Sequence, residues 1–77
     1  MKTVYIEKLV SALQYAGNAP YMVVSPPHVL EIGWKIKLLR SYGGDCVVGA
    51  IAPTLEDAFG ELEKEAERWC NDDSAKD

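Results

Sequence analysis

The chain has one histidine, two cysteines and no long apolar run, and each scarcity narrows what it can do. His28 sits in a proline-bounded loop with no serine or cysteine at a recognisable nucleophile spacing. It reads as a loop histidine without a chemical role. Cys46 and Cys70 match no metal-ligand spacing, so free thiols in a reducing compartment are expected, with a single structural disulfide as the alternative. No apolar stretch approaches the roughly 18 residues that a membrane span needs. Met1 to Leu13 carries Glu7 and Lys8 where a signal peptide needs an unbroken apolar segment, so a cytosolic protein without membrane contact is expected. Internal repeats and low-complexity segments are also missing.

What remains fits one small domain. Seventy-seven residues bury only about 60% of their unfolded surface, so stability should be marginal. Apolar residues make up 48% of the chain, too many for a wholly disordered one, and a packed core is expected. The net charge of −4 is unevenly spread. Residues 1–53 hold five basic and three acidic side chains, whereas residues 54–77 hold three basic and nine acidic. The C-terminal third therefore carries the negative field and is a poor surface for nucleic acid or an anionic membrane.

Periodicity predicts the order α-β-β-β-α. Ile6, Leu9, Val10, Leu13 and Ala16 fall on one helical face within Thr3 to Ala16, and Gly17-Asn18 supplies a stop. Tyr21 to Ser25 is a short β-prone run fenced by Pro20 and Pro26-Pro27, suited to a sheet edge. The double proline continues as an extended linker through His28 and Val29. Ile32 to Tyr42 alternates, with Ile32, Trp34, Ile36 and Leu38 on one side and Lys35 and Lys37 on the other. Gly43-Gly44 suits a two-residue hairpin, and Cys46 to Ala52 returns. That loop length sets Ile36 opposite Ile51, Leu38 opposite Gly49 and Leu39 opposite Val48. Gly49 reads as a bulge or a close helix approach.

Thr54 is an N-cap candidate, Asp57 takes the capping-box position, and a helix is predicted from Leu55 to about Cys70. Its buried stripe is Leu55, Phe59, Leu62, Ala66, Trp69 and Cys70, with Glu56, Glu61, Glu63, Glu65 and Glu67 turned outward. Residues 1–70 form the expected α+β domain, a three-stranded antiparallel sheet with both helices on one face, and residues 71–77 a flexible acidic tail. The opposite face, with Lys35, Lys37, Leu39 and Val48, is expected to lie open.

No cofactor or catalytic set emerges, and the chain is not expected to be an enzyme. Only a pocket lined by His28 or Cys46 would argue otherwise. Gly43-Gly44 leads into a strand, whereas phosphate-binding glycines lead into a helix. Glu61 and Glu65, one turn apart, lack the cleft that acid or base catalysis requires, and Lys64 and Arg68 lie within reach of them. The expected function is protein interaction, through the acidic helix or the open sheet face. One version is an inhibitor or regulator, of the kind phages and mobile elements encode, that presents carboxylates to a basic nucleic-acid-handling partner. The open face also leaves room for a homodimer. The rival is a nucleic-acid surface built from Lys35, Lys37 and Arg40 with nearby Tyr42.

The element order resembles the double-stranded-RNA-binding domain, which grips RNA with lysines at the start of its last helix. Glu56 and Asp57 occupy those positions here and would repel phosphate, so the resemblance implies topology without the activity. The step from the hairpin strand into Pro53-Thr54-Leu55-Glu56-Asp57-Ala58-Phe59 is similar to the strand-to-helix step of HicB-type antitoxins over about 25 residues. That likeness implies neutralisation of a small toxin ribonuclease. The N-terminal helix is an addition to that pattern, and its DNA-binding extension has no counterpart here.

Overall fold

The computed structural model describes residues 2–28 and 33–75. Their order is α1 (Val4–Tyr15), β1 (Tyr21–Ser25), β2 (Trp34–Leu39), β3 (Cys46–Ala52) and α2 (Leu55–Ala75), the expected α-β-β-β-α arrangement of an α+β fold. Ile32, expected to open the second strand, Val29 of the linker, and tail residues 76 and 77 lie outside the described residues. The last helix continues to Ala75, past the end expected near Cys70.

Each boundary has a local cause. Gly17 and Asn18 close α1 by donating their N–H groups back to the carbonyls of Gln14 and Leu13, at 3.0 and 2.9 Å. At the start of α2 the Asp57 N–H donates to Thr54 Oγ1 at 3.1 Å, so the predicted cap forms. Glu56 and Asp57 fill its first turn, where carboxylates favour the helix dipole.

The strands form one antiparallel sheet ordered β1-β2-β3, so β1 and β3 are both edges. The hairpin register differs from the two-residue expectation by one position. Leu38 faces Val48, Ile36 faces Ala50, Lys35 faces Ile51, and a bulge between Leu38 and Leu39 then sets Leu39 opposite Cys46. The cause is a longer turn. Arg40 N–H donates to the Asp45 carbonyl at 2.8 Å, and Gly44 N–H to the Ser41 carbonyl at 2.8 Å. Gly43 takes the positive φ of 74° at the third turn position. Because side chains alternate, the slip moves Val48 into the core, 9% exposed, and Ile51 out of it, 53% exposed. Val48 therefore does not belong to the open face.

One apolar cluster joins Ile6, Leu9 and Leu13 of α1, Ile36 and Leu38 of β2, Val48 and Ala52 of β3, and Ala58, Leu62 and Ala66 of α2. Trp34 packs against it, on the side predicted by alternation. Burial of each large member is worth about 1.5–3 kcal/mol. α2 is the central element, touching β3, β2 and α1, whereas no described Cα of α1 lies within 8 Å of a strand Cα. The first helix is thus held mainly by the last.

Gly33 opens β2 at φ 113°, and a Cβ there would stand 2.5 Å from the Ala52 carbonyl oxygen. Gly33→Ala should therefore cost more than about 2 kcal/mol in urea unfolding. Gly60→Ala, on the exposed side of α2 with nothing within 4 Å of the added carbon, should instead stabilise by up to about 1 kcal/mol.

Candidate functional site

The acidic side chains of α2 divide into two groups once the helix is packed. Glu56, Glu61 and Glu67 are exposed and Glu65 is half-buried, as an outward face requires. Glu63 is turned inward and only 6% exposed. Its carboxylate accepts the backbone N–H of Tyr5 at 2.9 and 3.1 Å and that of Ile6 at 2.9 Å. Thr3, the N-cap residue of α1, makes no side-chain cap of its own. A carboxylate from the other end of the chain thus satisfies two of the four N–H groups that a helix start leaves open. Glu63 is thus a buried residue bonded to α1 rather than an outward-facing acid, and it also borders the groove described next.

Of the outward acids, Glu61 pairs with Lys64 at 3.4 Å and Glu65 with Arg68 at 3.3 Å. Glu56, Asp57 and Glu67 form no ion pair with a described residue. These three border an open groove of about 690 Å³ that runs from Ile51 and Pro53 at the end of β3 along Gly60 to Lys2 and Lys64. Gly60 presents no side chain, so a ligand could approach the helix backbone closely there.

On the other side of the sheet, pairing places Tyr21, Val23 and Ser25 of β1 with Leu39, Lys37 and Lys35 of β2, and Ile51 opposite Lys35. Lys35 and Leu39 are half-buried, while Lys37 is exposed. The Tyr42 ring, 81% exposed, stands edge to face on Tyr21 with centroids 5.0 Å apart. Arg40 is not part of this grouping. It follows Leu39 on the alternate side and lines a second open groove with Lys8, Ser11 and Tyr15 of α1 and Trp69 of α2. The structure thus separates Arg40 from the two lysines with which sequence spacing had grouped it.

The remaining candidates are dispersed. His28 and Cys46 are exposed and line neither groove. The Cys46 thiol lies 3.4 Å from the Val48 carbonyl oxygen, and no disulfide joins it to Cys70. Among the described residues no three His, Cys, Asp or Glu side chains gather as they would around a metal ion, and no helix is long and apolar enough to cross a membrane.

Comparison with protein-family models, curated proteins and solved structures finds no match to this chain. The likenesses to the double-stranded-RNA-binding domain and to HicB-type antitoxins therefore rest on element order and on one strand-to-helix step.

The Glu63 contact can be tested directly. Glu63→Ala leaves two buried N–H groups without an acceptor and should cost about 2–3 kcal/mol in urea unfolding. Glu63→Gln keeps one acceptor oxygen and should cost less than half of that.

Proposed function

We propose that the protein is a non-enzymatic interaction module that offers the anionic groove of α2 to a basic segment of a partner protein. The observation that carries this reading is the trio Glu56, Asp57 and Glu67. They form no ion pair with a described residue and rim a groove whose apolar end is made by Ile51, Ala52 and Pro53. A lysine- or arginine-bearing segment would place its charges on these carboxylates and lay its aliphatic stems on the apolar end. Inhibition of a nucleic-acid-handling protein follows from the same chemistry, because the carboxylates would stand where phosphates otherwise bind.

A fluorescently labelled nona-arginine peptide provides the test. It should bind with an affinity that falls as salt rises. Replacing Glu56, Asp57 and Glu67 together by Gln, Asn and Gln should weaken it roughly tenfold, from about 0.5 kcal/mol per carboxylate. Neutralising Glu7 and Asp45, which lie outside the groove, serves as the control. Equal weakening by both sets, or by neither, would reject the groove.

One observation favours a second reading, nucleic-acid binding on the open sheet face. Tyr42 and Tyr21 form an exposed aromatic pair on the same side as Lys37, and rings beside cations can stack bases and neutralise phosphate. A labelled oligothymidylate should then bind at low salt and lose affinity on Lys37→Ala and on Tyr42→Ala. Absence of binding at low salt would exclude it.

A further inference from the structure

We propose that the outer edge of β3 is a self-pairing surface, on which a second copy of the chain lays its own β3 antiparallel across a two-fold axis. The two edges of the sheet are protected very differently. β1 is five residues long, with Pro20 before it and Pro26-Pro27 after it. Prolines at both ends keep the exposed edge short and poor in donors. β3 is seven residues long, and none of Cys46–Ala52 is charged or proline. Among the described residues no other strand pairs with its outer side, and no backbone group from a turn or loop hydrogen-bonds to it. An uncharged edge of this length offers a row of backbone donors and acceptors to another strand.

Apolar self-complementarity selects a second copy as the occupant. A two-fold at Gly49 sets Val48 opposite Ala50 of the second copy, both on the core face of their sheets, and Val47 opposite Ile51. Ile51, half exposed in the single chain, gains an apolar cross-strand neighbour. α2 lies over β3, so the two-fold runs the two α2 helices in opposite directions. The protected β1 edges then end a six-stranded sheet on both sides, and assembly stops at the dimer.

This pairing shares Ile51 with the groove proposed to bind a basic segment, but its test reads mass and amide exchange rather than peptide affinity. Sedimentation equilibrium of the unmodified protein should give twice the chain mass, falling towards the single-chain value on dilution. Ile51→Glu puts a charge opposite the second copy's Val47, yet within one chain the new carboxylate faces Lys35. It should lower the association constant at least about tenfold with an unchanged far-UV circular dichroism spectrum. Hydrogen exchange of the unmodified protein should slow at the β3 amides as concentration rises. A single-chain mass at every concentration would overturn the proposal. So would a dimer that is insensitive to Ile51→Glu, or one whose β3 exchange does not depend on concentration. Should the variant fail to fold, the exchange series on the unmodified protein decides alone.

Discussion

The arrangement of the two helices depends on the Glu63 carboxylate. α1 is twelve residues long, near the lower limit for a helix that persists without help, and its N-cap residue supplies no side-chain acceptor. Its backbone comes close to α2 and to no strand, so its side chains alone reach the sheet. Hydrophobic contact alone would let two amphipathic helices slide along one another at small cost, because burial is not directional. The three N–H···O contacts from Tyr5 and Ile6 to Glu63 are directional. They pin the start of α1 to one turn of α2, and Ile6, Leu9 and Leu13 then reach the core together. A charged group is tolerated at this depth because two backbone dipoles answer it.

The parts of the fold legible in the sequence were those where pattern and punctuation agreed. β1 and β3 lie where proline, glycine and β-branched runs placed them, and α2 starts at its predicted Thr54 cap. The hairpin register was not legible, for a reason visible in β3 itself. Val47 and Val48 are adjacent, as are Ala50 and Ile51, so both faces of this strand are apolar and alternation cannot choose between them. Only the turn could decide, and Ser41 to Gly44 make a longer one than the Gly-Gly pair suggested. The burial of Glu63 did leave a trace. It stands four residues after Phe59, three before Ala66 and seven before Cys70, inside the apolar stripe rather than opposite it. Its charge argued for solvent, and only the position of the distant α1 N-terminus outweighs that. Arg40 could have been separated from the two lysines by continuing the strand alternation one residue past Leu39.

Folding sharpens the charge asymmetry read along the chain into two surfaces. The open sheet face combines Lys35 and Lys37 with the Tyr21–Tyr42 pair, while the carboxylates lie on α2, which packs against the other face of the same sheet. The net charge of −4 therefore describes neither surface. A ligand approaching either face within a Debye length, about 8 Å at physiological ionic strength, meets mainly the charges of that face.

The contact between Glu63 and the start of α1 spans 57 and 58 residues of sequence, and it governs when the molecule can form during synthesis. Translation delivers α1 first and α2 last. While the sheet is being made, α2 is not yet there to cover the apolar stripe of α1, and two of the leading amides of α1 lack the Glu63 acceptor. Glu63 must have emerged from the ribosome before the first helix can dock on it, so there is an early interval in which Ile6, Leu9 and Leu13 stand open to any chaperone within reach.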